Sequence, residues 1–188
     1  MEINEKTAEL VGIILGDGHL HTKHNLVTIT GSLGDRSYYI KTVIPLFQKI
    51  FFKDPKLKKR NDRKSYYIMM TNRGMMDYLT KIIGLKRGRK LNPSIPKFVF
   101  NNKKFVCCFL RGLFDTDGSV KFSKQAKKIP YYPRIRISAR ESRMAKEIGS
   151  LLDFCGFNYG LSIDNRLGNN LHTYEISGTK NIKKWFEL

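Results

Sequence analysis

The sequence predicts an α+β fold built from two similar halves, and three observations support this prediction. The stretches ELVGIILGDGHL, residues 9–20, and CFLRGLFDTDGSV, residues 108–120, share one layout, in which small residues precede an aspartate. The segments that follow them match in their order of strand, turn and helix patterns. The 188 residues are also enough for two tightly joined halves of roughly 90 to 100 residues.

Each half is predicted to contain the elements α-β-β-α-β-β-α. Apolar and polar residues alternate around Val27 and around Ile135, which is typical of strands with one buried face. A helix is expected to start near Ser37 in the first half and near Ser142 in the second, because serine favours helix N-termini. Further strands are expected at residues 19–24, 57–60, 119–123 and 161–164, and the segments 65–79 and 172–186 each combine a strand, a turn and the start of a helix.

Such halves form antiparallel sheets with helices on one face, which leaves the other face for solvent or a ligand. We expect the first half at residues 1–84, a connector at 85–105 and the second half at 106–188. The connector, LKRGRKLNPSIPKFVFNNKKF, is rich in basic residues, glycine and proline. Pro93 and Pro96 are expected to stop any helix there.

The charge balance points to a polyanionic partner. The 35 Lys and Arg residues against 16 Asp and Glu residues give a formal net charge of +19, whose self-repulsion opposes compaction and favours nucleic acid as the partner. Apolar runs such as residues 10–15 are far shorter than the roughly 20 residues that span a bilayer. The acidic N-terminal stretch MEINEKTAEL is unlike an import peptide, so we expect no membrane partner and no secretion.

The glycines in the two stretches predict a close contact between helices. A glycine in a helix interior costs about 1 kcal/mol relative to alanine. Gly12 with Gly16, and Gly112 with Thr116, place small residues four positions apart, which lets two helix backbones approach closely. We expect the two stretches to form helices that pack against each other in parallel, about a pseudo-two-fold axis.

This packing is expected to bring Asp17 and Asp117 together at the C-terminal ends of the two helices. Two carboxylates at the negative ends of helix dipoles favour a divalent cation. We expect Mg²⁺, which prefers carboxylate and carbonyl oxygens, with the carbonyls of Gly16 and Thr116 as further ligands. Other divalent cations, such as Mn²⁺ or Ca²⁺, can occupy the same site.

At these residues the sequence resembles the LAGLIDADG homing endonucleases. LVGIILGDG, residues 10–18, and LRGLFDTDG, residues 110–118, are similar to the two motifs of the single-chain, monomeric type, and SIPKFVF before the second motif also matches. The resemblance implies a DNA-binding saddle of two antiparallel sheets with the motif helices packed at its centre. Leu15 and Gly16 depart from the consensus in the first motif, but the catalytic acid is retained in both motifs.

The function implied is an intron-encoded, site-specific enzyme that cuts both strands of a long DNA target by metal-assisted phosphodiester hydrolysis. Its location would be the cytoplasm of an archaeon, or a mitochondrion or chloroplast. Two alternatives stay open: an RNA maturase, whose partner is intron RNA, and a DNA-binding regulator that does not cleave. Retention of Asp17 and Asp117 favours the nuclease.

The resemblance also implies a lysine near each scissile phosphate. Lys90, ahead of the second motif, is the first candidate, and Lys121 and Lys180 are weaker candidates for its partner in the second half. DNA contacts are expected from one face of each sheet and from basic loops. The predicted DNA-binding residues are His21, Lys23, Thr28, Thr30, Lys58, Arg60, Arg63, Lys64, Lys121, Lys124, Lys127, Arg134, Arg136, Ser138 and Arg166.

The clustered histidines His19, His21 and His24 raise the alternative of a zinc site. No cysteine or other fourth ligand lies near them in sequence, whereas structural zinc sites have four ligands. A position on a strand face near DNA is therefore the favoured interpretation.

Overall fold

The structure, a computed structural model, describes residues 1–60, 64–125, 129–166 and 170–188, with only the backbone described for 123–125 and 129–131. The chain forms two compact units. The first unit contains residues 1–91 and 96–116, and the second contains residues 92–95 and 117–188. In the described ranges, no helix is both long enough and apolar enough to cross a membrane.

The first unit contains one four-stranded antiparallel sheet with the strand order β1-β2-β4-β3. Short π-helical turns, Tyr39–Val43 and Tyr78–Ile82, follow α2 and α4, and a 3₁₀ helix, Lys97–Asn101, precedes α5. The elements are α1 Glu5–Asp17, β1 Gly18–Leu20, β2 Leu26–Ser32, α2 Arg36–Tyr38, α3 Ile44–Phe51, β3 Lys56–Arg60, β4 Ser65–Thr71, α4 Arg73–Asp77 and α5 Lys103–Asp117.

The second unit repeats this sheet, with the strand order β5-β6-β8-β7 and antiparallel pairing throughout. Its elements are β5 Gly118–Gln125, β6 Ile129–Arg140, α6 Arg143–Phe154, β7 Tyr159–Asp164, β8 Leu171–Ile176 and α7 Thr179–Phe186. The predicted α-β-β-α-β-β-α order is therefore confirmed in both halves.

Side-chain caps explain where several helices begin. The Asn4 side chain accepts a hydrogen bond from the Thr7 backbone N–H at 3.1 Å, which starts α1. The Ser142 hydroxyl accepts one from the Ala145 N–H at 3.1 Å, so the predicted helix start near Ser142 is confirmed. In the first half α2 begins at Arg36, next to the predicted Ser37 and directly after a 3₁₀ turn, Leu33–Asp35.

The alternation along the central strands separates a buried face from an accessible one. Val27 and Ile29 on β2 are at most 1% exposed, and so are Ile135 and Ile137 on β6. Their neighbours in sequence point to the opposite face and retain access to solvent. The helices cover the apolar faces, and the accessible faces carry most of the predicted DNA-binding strand residues.

The strand predicted at residues 19–24 is shorter than expected, since β1 ends at Leu20. Residues 21–25 form a loop, in which the His21 N–H still donates to the Leu26 carbonyl at 3.0 Å. Arg87 from the basic connector donates to the Asn25 side chain at 3.0 Å. The loop therefore combines a contact with the neighbouring strand β2 and a contact with the distant connector.

Candidate functional site

The two motif helices, α1 and α5, touch through their glycines. A Cβ atom on Gly12 would lie 2.3 Å from the Phe109 carbonyl oxygen and 2.8 Å from the Leu113 nitrogen. A Cβ atom on Gly112 would lie 2.1 Å from the Glu9 carbonyl oxygen. Because these partners are backbone atoms, no larger residue fits at either position without moving a helix.

The contact is also reciprocal. Gly12 meets residues 109, 112 and 113, while Gly112 meets residues 9 and 13. The two motifs are 100 residues apart, so residues 109 and 113 of α5 are equivalent to residues 9 and 13 of α1. Each helix therefore presents the same positions to the other. The predicted close approach at Gly12 and Gly112 is thus confirmed, with the symmetry expected of a pseudo-two-fold contact.

An ion pair links the same two helices. Arg111 donates from Nε to Glu9 Oε1 at 3.1 Å and from Nη2 to Glu9 Oε2 at 2.7 Å. Glu9 is only 8% exposed, and the hydrogen bonds to Glu9 raise the pKa of Arg111. Sequence reasoning missed this pair, although a glutamate at the edge of an apolar helical run is a signal for a buried partner.

Both predicted metal-binding acids lie at helix ends and reach solvent. Asp17 is the last residue of α1, and Asp117 is the last residue of α5. Neither helix has a basic residue in its own last turn, so each carboxylate is added to the negative end of a helix dipole. The negative charge at each helix end therefore favours binding of a cation.

Lys90 supplies a cation at the end of α1. Its ammonium donates to the carbonyl oxygens of Leu15, at 2.7 Å, and of Gly16. Gly16 is the predicted carbonyl ligand of the metal, and Lys90 is the first predicted catalytic lysine, so the structure brings these two residues together. The contact also completes a helix C-terminus whose carbonyls lack partners within the helix.

The connector before Lys90 is held against the loop between β1 and β2. Gly88 has a φ of +83° and donates its N–H to the Leu20 carbonyl at 2.7 Å. A Cβ at Gly88 would lie 2.7 Å from the Thr22 side chain, so both the backbone conformation and the space favour glycine. These contacts therefore fix the connector that carries Lys90.

Two polar residues of the second motif, Asp115 and Thr116, have their contacts within the first unit. The Thr116 hydroxyl donates to the Leu113 carbonyl at 2.9 Å, so the hydroxyl is turned to its own helix. Asp115 lies beside Tyr38, and burial raises the pKa of both groups, with the Asp115 charge adding to the shift at Tyr38. Part of the Asp115 side chain nevertheless reaches solvent.

The accessible face of the first sheet carries uncharged residues at its centre and lysines on its β3 edge strand. The strand register aligns His19, Thr28, Met69 and Lys56 in one row. The next row contains Thr30, Tyr67 and Lys58. Thr28, Thr30 and Lys58, all predicted to bind DNA, therefore share one face.

The predicted residue Arg60 lies at the end of β3, with its guanidinium carbon 5.9 Å from the centroid of the Tyr67 ring. His21 packs edge-on against His19, with 4.7 Å between the ring centroids. Burial lowers the pKa of His21, and the charges of His19 and His24 lower it further. In the described ranges, no three His, Cys, Asp or Glu side chains group as metal ligands.

The accessible face of the second sheet is ionic. Arg134 and Arg136 on β6 both donate to the carboxylate of Glu175 on β8. Ser138 and Thr173 are hydrogen bonded through their hydroxyls at 2.9 Å. The predicted residues Arg134, Arg136 and Ser138 therefore lie together. The sequence gives no signal for Glu175, because an acid is not expected on a surface that binds phosphates.

The other predicted DNA-binding residues lie on loops or strand edges. Lys23 is exposed in the loop between β1 and β2, Lys64 is exposed just before β4, and Lys121 is exposed on β5. Arg166, in the turn after β7, pairs with Asp164 at 2.6 Å. Arg63 and Lys127 lie outside the described residues, as does the side chain of Lys124.

Residues 104–188 match the family model of the LAGLIDADG-like domain. The second half of the chain is therefore a LAGLIDADG-like domain. The matched range covers most of α5, including the second motif, and all strands and helices that follow it.

Solved structures of LAGLIDADG proteins share the fold of the whole chain. A structure of the homing endonuclease I-DmoI in complex with DNA and Ca is 18% identical and has a TM-score of 0.65, with 95% of this chain and 86% of that chain covered. Full-length DUF199/WhiA from Thermatoga maritima is 20% identical and has a TM-score of 0.63, with 97% of this chain and 54% of that chain covered. The fold therefore occurs both in a homing endonuclease and in WhiA.

The chain spans only a small part of the length of the curated relatives it matches. The replication factor C small subunit of Methanocaldococcus jannaschii is 33% identical over 64% of this chain, which is 6% of its own length. The glutamine–fructose-6-phosphate aminotransferase of the same organism is 28% identical over 96% of this chain, which is 15% of its length. A DNA polymerase of Thermococcus hydrothermalis is 25% identical over 94% of this chain and 10% of its own.

Proposed function

We propose that this protein is a homing endonuclease that cuts both strands of a specific double-stranded DNA site with the help of Mg²⁺. The observation that carries the proposal is the reciprocal contact of Gly12 and Gly112. It pairs two helices whose last residues are Asp17 and Asp117. With both motifs in one chain, the enzyme acts as a monomer.

In this proposal, Asp17 and Asp117 hold the metal together with the carbonyl oxygens of Gly16 and Thr116. The donors fit Mg²⁺, because carboxylate and carbonyl oxygens are its preferred ligands. The Gly16 carbonyl already accepts a hydrogen bond from the Lys90 ammonium, so this oxygen is oriented toward a cation. When bound, the metal supplies charge stabilisation to the attacking and leaving oxygens of a phosphodiester displacement.

The lysines act on the same phosphate group. Lys90, held at the end of α1, is positioned to donate a hydrogen bond to a phosphate oxygen near Asp17. Lys121, exposed on β5 four residues after Asp117, is the candidate for the equivalent role in the second half. Each lysine would offset negative charge that develops on the phosphate.

DNA binding follows from the charge and from the accessible sheet faces. A formal charge of +19 favours many contacts with phosphates, and each contact releases counterions. If about six to ten phosphates are contacted, affinity for mixed DNA should fall by about 10³- to 10⁵-fold between 50 and 200 mM salt. Affinity that is nearly independent of salt would contradict DNA as the partner.

The experiment that tests the proposal is cleavage of a library of randomised DNA sites. The full chain is incubated with the library in MgCl₂, MnCl₂ or EDTA, and the cut ends are sequenced. We expect one family of related sites to be cut on both strands with either metal, and no cutting in EDTA. Absence of cut ends with both metals would contradict the nuclease.

A second candidate is a DNA-binding protein that does not cleave. It is favoured by the fold shared with DUF199/WhiA, which covers 97% of this chain. The same library distinguishes the two candidates when bound DNA is sequenced as well as cut DNA. Enrichment of a specific site among bound molecules, without cut ends in either metal, would support the second candidate.

A further inference from the structure

The accessible face of the second sheet contains a carboxylate among its basic side chains. The strand register places Ser119, Arg136, Glu175 and Gly160 in one row across the four strands. Neighbouring rows contain Lys121 with Arg134, and Ser138 with Thr173 and Ser162. Residues in these rows share one face, so Glu175 lies on the surface that the proposed function assigns to DNA.

One carboxylate holds two guanidinium groups. Arg136 donates from Nε to Glu175 Oε2 at 2.6 Å, and its Nη2 also contacts Oε2. Arg134 donates from Nη1 to the other oxygen, Oε1. About a third of each arginine side chain is exposed, against 19% for Glu175, so the arginines extend past the acid toward solvent.

Glu175 offsets the positive charge of the arginines around it. Arg134 and Arg136 are two residues apart on one strand, so their side chains lie side by side on the same face, and Lys121 lies directly opposite Arg134. Burial alone would raise the pKa of Glu175, but the hydrogen bonds from Arg136 and Arg134 outweigh burial and lower the pKa. Glu175 is therefore ionised at neutral pH, and it offsets the repulsion between the two guanidinium groups.

The ion pair with Glu175 fixes which edge of the Arg136 guanidinium is available to a ligand. A guanidinium is planar, with five N–H donors in a rigid fork. Because the Nε and Nη2 side of Arg136 is bound to Glu175, the edge formed by Nη1 and the second Nη2 hydrogen points away from the acid. Gly160, next to Glu175 in the row, leaves open space, since a Cβ there would meet nothing within 4 Å.

We infer that Glu175 is a positioning residue for sequence recognition, which orients Arg136 so that its outer edge donates two hydrogen bonds to the O6 and N7 atoms of one guanine. This inference rests on the proposed binding of DNA. Arginine paired with guanine in this way is the commonest specific contact in the major groove. In this inference Glu175 acts through Arg136, because both its oxygens already accept hydrogen bonds from arginines.

The alternative role is structural, because the same ion pairs join β6 to β8. The two roles differ in what they change. A structural role affects the melting temperature and leaves base preference as it was, whereas a positioning role affects the preference for guanine at one position of the DNA site. A test must therefore measure both quantities on the same variants.

The test selects bound DNA from a randomised double-stranded library with the full chain in CaCl₂, the ion present in the I-DmoI complex with DNA. The variants are Glu175→Gln, Arg136→Lys and the matched control Glu147→Gln. Glu147 accepts a hydrogen bond from Arg143 at 2.8 Å on helix α6, so the control removes the same charge from a paired glutamate away from this face. Melting temperatures are measured in parallel.

We expect the wild type and Glu147→Gln to select the same site with the same guanines. Glu175→Gln and Arg136→Lys should both lose preference at one and the same guanine, by about 5-fold or more. Arg136→Lys keeps the charge but loses the fork, so it tests the inference even if Glu175→Gln does not fold. If either folded variant keeps the wild-type preference at every guanine, the inference is overturned, whatever the melting temperature of that variant.

The two proposals fail in different ways. If the wild type selects no site at all, the proposed function is wrong and the inference falls with it. If the wild type selects a site and the two variants select it with identical base preferences, only the role assigned to Glu175 is wrong.

Discussion

The two sheets have the same topology but differ in the chemistry of their accessible faces. At the centre of the first face lie Thr28, Thr30 and Tyr67, which are uncharged. At the centre of the second lie Arg136 and Glu175, joined by an ion pair. The buried residues of β2 and β6 are similar, since the core requires apolar side chains there. The accessible faces are free to differ, and the proposed recognition of an asymmetric DNA site requires such a difference.

The motif helices show a second difference between the halves. Their glycine contact is reciprocal, but the ion pair beside it is not. Glu9 corresponds in sequence to Phe109, and Arg111 corresponds to Val11, so only one of the two equivalent places carries charges. The backbone contact is therefore the shared feature, and the side chains around it distinguish the halves.

Replacing the contact glycines should have the largest effect on stability. Gly12→Leu and Gly112→Leu would each push a side chain into backbone atoms of the other helix, 2.3 and 2.1 Å from the new Cβ. We expect losses of about 3 kcal/mol or more for both variants, at the upper end of the range for overpacking. Urea denaturation measures this loss.

Gly160→Ala is the matched control, because a Cβ at Gly160 would meet nothing within 4 Å. Its stability should stay within about 0.5 kcal/mol of the wild type. A marked loss for only one of the two motif glycines would show that the helix contact is not symmetric in energy.

Lys90→Met should reduce cleavage by about 10²-fold, the lower end of the range for a group that assists proton transfer or charge stabilisation. The methionine keeps the length of the side chain but removes the ammonium that donates to the Leu15 and Gly16 carbonyls. Nicking assays on each strand measure the effect. Lys121→Met is the equivalent change in the second half. If Lys90→Met alone reduces the nicking of both strands equally, the assignment of one lysine to each strand is wrong.

Removing the charge of Glu9 should destabilise the helix pair less than the glycine variants do. Glu9→Gln leaves Arg111 without its carboxylate, and we expect a loss of about 1 to 2 kcal/mol. This is smaller than the 3 to 5 kcal/mol known for fully buried pairs, because 42% of the Arg111 side chain is exposed. Thermal unfolding of Glu9→Gln and of the double variant Glu9→Gln, Arg111→Met would check this, since the double variant should recover part of the loss.

The smallest expected effect is the pH dependence that Glu175 contributes. Its folded pKa lies below the ordinary value of 4.5, so the stability it contributes is present above pH 4.5 and is lost as the pH falls through the folded pKa. The difference in melting temperature between the wild type and Glu175→Gln should therefore be constant from pH 7 to 5 and shrink below pH 4.5. A difference that grows on acidification would contradict this sign.

Features set by local patterns could be predicted from the sequence. The alternation around Val27 and Ile135 predicts the buried strand faces without reference to any distant segment. The contact of Gly12 with Gly112 joins residues 100 apart, but the repeated motif marks both partners in the sequence. The predicted element order, which also rests on local patterns, is confirmed in both halves.

Contacts between distant residues that no repeated motif marks could not be predicted. The contact between the connector and the loop after β1 joins Arg87 to Asn25, which lies 62 residues away. The Glu9–Arg111 pair joins residues 102 apart, and Glu175 meets Arg136 across 39 residues. In each case the residue types were visible, but only the three-dimensional fold determines their partners.

The most direct measurement is cleavage in MgCl₂ of the DNA site selected by the wild type, compared among Asp17→Asn, Asp117→Asn and the control Asp54→Asn, which changes an exposed acid in the loop after α3. We expect the control to cut both strands like the wild type. Neither motif variant should cut both strands, although both should still bind the site. Full double-strand cutting by either Asp17→Asn or Asp117→Asn would contradict a metal centre that depends on both acids.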